Sequence, residues 1–319
     1  MCEDGAIVLR NYGKIFDLSV QPVEMMPLNH FYPGSNVLTL GTAGCNLSCQ
    51  FCSVWEASKA RETTILSEQA EPGQIAELAG KLSCKSVGFA YNDPVVYMEY
   101  AIDTAEACHE HGLYAVAATS GYINPAPASH FFKMMDAVSI GLKAFNEKTY
   151  REKCSASLKP VLDNVQFIRK QTKGWLEINY LVIPGENDSE EEIGKMASWI
   201  YDKLGAGTPL HLVGFQASHK MASWPTATEA RLKNLRAIAY EKGLKYIYIN
   251  NRDNEETEST YCSHCTKKIV GRSGFQISEY NLDKSGKCSY CSTLCSGRFT
   301  SGPGKSSGRR ERVDIQSML

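Results

Sequence analysis

The chain has 319 residues, a formal net charge of -1, 43% hydrophobic residues and 12 cysteines. Balanced charge supplies no basic or acidic field, so no nucleic-acid partner is expected and partners have to be argued from sites. No apolar run reaches the roughly 18 residues that cross a bilayer, and Met1-Cys-Glu-Asp-Gly5 is polar where a secretory signal is basic and then apolar; a cytoplasmic protein without a membrane partner is expected. In that reducing setting the cysteines suit metal ligation better than disulfides.

Residues 1–34 read as a hairpin and connector. Ala6 to Val20 alternates around Asn11-Tyr12-Gly13, and Gln21 to Gly34 carries Pro22, Pro27 and Pro33. The β-branched run Asn36 to Leu40 predicts a buried strand, and the next loop, Gly41-Thr-Ala-Gly-Cys-Asn-Leu-Ser-Cys-Gln-Phe-Cys52, holds Cys45, Cys49 and Cys52 with Phe51 just before the last. A closed zinc site wants four ligands, and no fourth Cys or His lies nearby. Three thiolates from one loop can instead hold three irons of a four-iron four-sulfur cubane and leave the fourth iron open for reaction.

Strands and helices then alternate. Helices are expected over Pro72–Leu82, Val95–His111, Pro127–Met135, Leu158–Gln171, from an N-cap at Asp188 to about Leu204, and over Thr228–Lys242. Strands are expected at Ser86–Ala90, Leu113–Thr119, Ala137–Leu142, Trp175–Ile183, Pro209–Phe215 and Tyr246–Ile249. That order argues for an α/β domain over 35–250, a parallel sheet curving toward a partial (β/α)6-type barrel with its active site at the carboxyl ends of the strands. Those ends carry Tyr91-Asn-Asp-Pro94, Thr119-Ser-Gly-Tyr122, Lys143 closing an otherwise apolar strand, and Gly214-Phe-Gln-Ala-Ser-His-Lys220. Strand alternation puts Glu177 and Asn179 on one face, with Asn179 facing the cleft or both forming a satisfied polar pair inside the barrel. Cys154 is either a hydrogen-atom donor to a substrate radical or an inert core thiol.

Near the carboxyl end, Cys262-Ser-His-Cys265 and Cys288-Ser-Tyr-Cys291 are two knuckles separated by 22 residues, a tetrathiolate spacing in a segment, 251–297, with too little core to fold without a metal. Zinc or mononuclear iron is the first choice for this ribbon; Cys295 leaves room for a second iron–sulfur cluster. Residues 298–319, rich in Gly, Ser and Arg, are expected to be disordered.

The Cys-x3-Cys-x2-Cys loop after the first barrel strand, the Pro184-Gly-Glu-Asn-Asp-Ser189 element and the terminal ribbon resemble the radical S-adenosylmethionine (radical SAM) superfamily, in particular the AmmeMemoRadiSam-system enzymes and the related pyruvate formate-lyase activating enzymes. The resemblance covers about Pro22 to Gly297. It implies a 4Fe-4S cluster on Cys45, Cys49 and Cys52, bound S-adenosylmethionine, and an electron donor such as flavodoxin or ferredoxin. It implies that Asn92 and Asp93 accept from the methionine ammonium, that Ser120 contacts ribose or methionine, that Lys143 meets the carboxylate, that Asn179 lies beside adenine, and that Gln216 stands where relatives present a His. The chain departs from activating enzymes at Asp93, Ala118, Gly141 and Gln216; Ala118 and Gly141 replace two carboxylates. The expected function is therefore hydrogen abstraction from a small-molecule or peptide-derived substrate. The alternatives are installation of a glycyl radical on a partner protein, and a metal-ribbon scaffold with a relic cluster.

Overall fold

The computed structural model describes residues 2–3, 6–60, 68–250 and 254–315. Its centre is one sheet, whose strands in chain order are β1 (Asp17–Pro22), β2 (Asn36–Gly41), β3 (Ser86–Phe89), β4 (Tyr114–Thr119), β5 (Ala137–Leu142), β6 (Trp175–Val182), β7 (Leu210–Gly214), β8 (Ile247–Asn250) and β9 (Glu311–Arg312). The spatial order is β8-β7-β6-β5-β4-β3-β2-β1-β9. Strands β2 to β8 are parallel, and β1 and β9 extend the β2 edge antiparallel. β8 and β9 are not bonded to each other, so the barrel is open.

The connecting helices Pro72–Lys81, Met98–Glu110, Pro125–Met134, Leu158–Gln171, Glu190–Leu204 and Glu229–Glu241 bury apolar stripes in one core with the outward face of the sheet. Glu190–Leu204 shows the cause: Ile193, Met196, Ala197, Ile200 and Leu204 recur at helical spacing and are buried, while Glu190, Glu191 and Glu192 complement the dipole in the first turn. Its N-cap is Ser189, whose hydroxyl accepts from Glu192 N, one residue later than the sequence suggests. Asp188 is taken by Gly185 N and by Arg231.

Three expectations are corrected. Residues 6–20 do not form a hairpin: Ala6–Ile7 pairs with Cys2–Glu3, Lys14–Ile15 with Glu68–Gln69, and β1 with β2. The first flank pairs locally, and the second finds long-range partners that satisfy its backbone while burying Ile15 and Leu18 in the core. A helix not foreseen, Glu147–Cys154, follows β5; it is short and highly charged, so it carries little periodic signal. The tail is ordered as far as residue 315: β9 pairs with β1, and Val313 and Ile315 are buried in the main core. Residues 316–319 lie outside the described residues.

The floor of the barrel is closed by residues 23–35. Val23, Met26, Leu28 and Phe31 pack on Val37, Val116 and Ala137. Beside this plug stands a three-stranded antiparallel ribbon, Thr260–Tyr261, Lys268–Ser273 and Gln276–Tyr280, whose buried Ile269, Val270 and Leu282 share a second core with Tyr246 and Tyr248. No helix among the described residues is long and apolar enough to cross a membrane.

Candidate active site

At the carboxyl ends of the strands lies a cavity of about 240 Å³, lined by Cys45, Cys49, Cys52, Phe51, Asn92, Asp93, Ser120, Lys143 and Asn179. Thus, of the residues expected near one bound cofactor, only Gln216 lies elsewhere. It is exposed, because the segment after β7 is drawn to the cysteine loop through Ser218 Oγ to Cys52 O (3.2 Å) and Lys220 N to Gln50 O (3.0 Å). His219 stacks on Trp55 with 5.4 Å between ring centroids and does not line the cavity.

The cysteine loop is held from three sides. Asn92 grips its start: Oδ1 accepts from Thr42 N at 2.9 Å, and Nδ2 donates to Gly44 O at 2.7 Å. Gly44 has φ +92, a left-handed conformation that a side chain would strain. The Glu147–Cys154 helix grips the middle, with Ser48 N donating to Cys154 O (2.8 Å) and Gln50 N to Lys153 O (2.9 Å). Lys59 Nζ donates to Leu47 O at 2.6 Å. Leu47 N, 3.5 Å from Cys45 Sγ, points a backbone donor at a thiol. Cys154 is fully buried behind the loop and is not among the residues that line the cavity.

Electrostatics divide the thiols. A hydrogen bond from Cys154 holds Cys49 down to about 7 against its burial, helped by the Lys143 and Lys59 ammoniums. Burial and the nearby Asp93 push Cys45 up. At Lys143 burial opposes the charged form, but Cys49, Cys154 and Asp93 together outweigh it and raise the pKa. No ion pair forms at Lys143 among the described residues, so its charge is available to the cavity.

Asp93 and Ser120 form a single unit. Asp93 Oδ1 accepts from Thr119 Oγ1 (2.7 Å), and Oδ2 accepts from Ser120 N (2.8 Å) and from the Ser120 hydroxyl. Two residues that sequence reasoning left without a role also matter. Asn187 of the Pro-Gly-Glu-Asn element is buried and ties two strand ends, donating to Lys143 O (2.8 Å) and Leu181 O (2.7 Å) and accepting from Ile183 N (2.7 Å). Ser139, inward on β5 and two residues below Gly141, lines the cavity with a buried hydroxyl that has no partner among the described residues. Its strand pattern marks it as inward, but only the packing shows the hydroxyl unmet.

The ribbon gathers Cys262, Cys265, Cys288 and Cys291 so that all four sulfurs lie within 4.8 Å of one another. The two knuckles repeat one geometry: Thr266 N donates to Cys262 O (3.0 Å) and Ser292 N to Cys288 O (2.8 Å), with Thr266 and Ser292 left-handed at φ +60 and +61. Thr293 holds the Cys291 thiol down to about 6. Cys295 stands apart, buried with its sulfur 3.7 Å from His30 Nδ1. The ribbon's close spacing suits a single ion.

An α/β enzyme fold with three loop thiols over a parallel sheet is the class these features define. The family model of the radical SAM superfamily matches residues 39–197. The chain is 33% identical over 289 residues to "Uncharacterized protein MJ0808" of Methanocaldococcus jannaschii, across 90% of this chain and 86% of that one. It is 23% identical over 115 residues to the 4-hydroxyphenylacetate decarboxylase activating enzyme of Clostridium scatologenes, across 36% of this chain and 37% of that one. A radical SAM methyltransferase from Sphaerobacter thermophilus shares the fold, with TM-score 0.52 and 15% identity over 69% of this chain and 67% of that one. This chain belongs to the radical SAM superfamily. Membership implies a 4Fe-4S cluster and S-adenosylmethionine, and the donor set fits both: three spaced thiols for a cluster, and a cation, a carboxylate and amides for an amino-acid-bearing ligand.

Proposed function

We propose that this chain abstracts hydrogen from a small polar or peptide-derived substrate held in the cavity beneath Lys143. When bound, the cluster and S-adenosylmethionine supply one-electron cleavage of a C–S bond and a carbon radical that takes the hydrogen. Cys45, Cys49 and Cys52 hold the cluster; Lys143 orients the carboxylate of S-adenosylmethionine, Asp93 with Asn92 its ammonium, and Asn179 its adenine. The carrying observation is the convergence of these groups, from the four strands β2, β3, β5 and β6, on one cavity. The Ser139 hydroxyl, buried and unpartnered, supports a polar substrate, because leaving such a group unmet costs about 1–3 kcal/mol. The ribbon takes zinc or mononuclear iron in a structural role, and an external one-electron donor such as flavodoxin or ferredoxin completes the reaction.

Activation of a glycyl-radical enzyme is the second reading, favoured by the similarity to the Clostridium scatologenes activating enzyme. Ala118 and Gly141, where activating enzymes carry carboxylates, weigh against it. The test is anaerobic incubation of reduced enzyme with S-adenosylmethionine and deuterated candidate substrates. Deuterium in 5′-deoxyadenosine from a small substrate is expected. Deuterium from the glycine Cα of a partner enzyme, with a persistent protein radical, would establish the second reading instead.

A further inference from the structure

Tyr91, immediately before Asn92 and Asp93, has φ +67. For a bulky side chain this conformation is uncommon and costs of order 1–3 kcal/mol, so surrounding contacts must hold it. Those contacts come from two elements. The end of β2 lies close against the turn: a Cβ at Gly41 would meet Ala90 O at 2.5 Å, Asn92 Oδ1 at 3.0 Å and Tyr91 Cδ2 at 3.0 Å. Arg310 supplies the other, its guanidinium carbon 4.9 Å from the centroid of the Tyr91 ring.

Arg310 is itself fixed. Its Nε donates to Ser19 Oγ at 3.1 Å, a terminal nitrogen pairs with Asp17, and Ser19 Oγ donates to Asp17 Oδ1 at 2.8 Å. The segment around it is anchored in the sheet: Glu311 and Arg312 pair with Val20 and Ser19, and Val313 N donates to Leu18 O at 2.9 Å. Beyond it, Ile315 N donates to Glu68 Oε2 at 3.2 Å.

We infer that residues 308–315 buttress the cavity wall from behind, with Arg310 the positioning residue that holds the Tyr91-Asn92-Asp93 turn. The inference rests on the reading that this cavity binds S-adenosylmethionine. Tyr91 lines the cavity, and Asn92 bonds both Thr42 and Gly44, so displacement of the turn reaches both the ammonium acceptors and the cysteine loop. A segment that follows the ribbon in sequence thereby braces a site built around residue 45.

The test uses the full-length, anaerobically reconstituted protein with S-adenosylmethionine as the probe. Arg310→Ala is expected to weaken its binding about tenfold, the equivalent of one decade in Kd, without changing iron content or the ribbon metal. Arg310→Lys, which keeps the charge but loses the planar stack, should fall between the two. In a Tyr91→Gly background, where the left-handed conformation costs little and the ring is absent, Arg310→Ala should add nothing further. Hydrogen exchange supplies a ligand-free readout: peptides covering 88–97 and 42–46 should exchange faster in Arg310→Ala, with the helix at 190–204 unchanged. Wild-type exchange and wild-type affinity in a folded Arg310→Ala or Arg310→Lys protein would overturn the inference. Failure of the wild type to bind S-adenosylmethionine would sink the functional reading alone, because the exchange experiment still decides the role of Arg310.

Discussion

Glu177 Oε2 lies 2.7 Å from His211 Nε2, with both side chains fully buried on the inward face of the barrel. The same carboxylate accepts from His30 N (2.8 Å), Asn29 N (3.1 Å) and Trp175 Nε1 (2.9 Å). Burial opposes its charge, but His211 and His30 with these donors outweigh that cost and lower its pKa. Glu177 therefore fastens the plug at residues 29–30 to β6 and β7, two residues from Asn179 in the cavity. Replacement by Leu removes the acceptor from several buried donors and should cost about 3–5 kcal/mol, measured as a lower urea midpoint. Glu177→Gln, which can still accept, should cost less. An unchanged midpoint in the Leu variant would refute this role.

His30 carries the pH dependence. Its Nδ1 is 2.6 Å from Ser296 O and its Nε2 meets the Tyr248 hydroxyl; burial lowers its pKa to about 4, against the partial opposition of Glu177. The folded protein thus favours neutral imidazole. The resulting stability is complete above about pH 6.5 and is lost as the pH falls toward 4, where the unfolded chain takes a proton that the folded chain resists. The loss should total about 3 kcal/mol across that window. The difference in urea midpoint between wild type and His30→Gln, followed from pH 7.5 to 5, isolates the effect from acid release of metal, which both share.

Arg272 is 1% exposed and reaches from the ribbon into the plug, donating to Asn29 O (2.7 Å) and Thr260 Oγ1 (2.8 Å), with Nε 3.6 Å from Glu24 Oε1. Arg272→Met should destabilise by about 3–5 kcal/mol, because it leaves the Glu24 carboxylate buried without its cation. Adding Glu24→Gln should restore part of the loss in chemical denaturation. Simple additivity of the two changes would show that the pair is not coupled.

Metal analysis should find about one zinc or iron per chain in the ribbon. Changing any one of Cys262, Cys265, Cys288 or Cys291 to Ala should release it and lower the thermal midpoint. Cys295→Ala should leave the metal in place, since that thiol faces His30. Four extra irons and sulfides per chain, lost in the knuckle variants, would mark an auxiliary cluster instead.

Ser139→Ala removes a buried hydroxyl that has no partner among the described residues, so the ligand-free protein should be as stable as wild type or more stable, by up to about 1 kcal/mol. Affinity for S-adenosylmethionine should be unchanged, while kcat/KM for the substrate falls. A clear loss of ligand-free stability would point to a bridging water and a structural role.

What the sequence determined by itself is carried by short-range chemistry. The Cys45, Cys49 and Cys52 spacing, the two knuckles and the alternating strand and helix periods are local patterns, and ligand geometry and backbone periodicity act over a few residues. From these the superfamily, the parallel sheet and the motifs that carry part of the cavity lining were legible. The tertiary structure decided what depends on residues far apart in the chain. Lys14–Ile15 leaves its expected hairpin for Glu68–Gln69, Gln216 is turned out by the pull of Ser218 and Lys220 on the cysteine loop, and Glu177 becomes the anchor of the floor. The polar carboxyl-terminal segment has too little apolar character to announce order, yet the open edge at β1 offers backbone partners and Asp17 offers a charge. Burial of Val313 and Ile315 then fixes Arg310 against Tyr91, because an unpaired strand edge and a core with room are properties of the folded sheet alone.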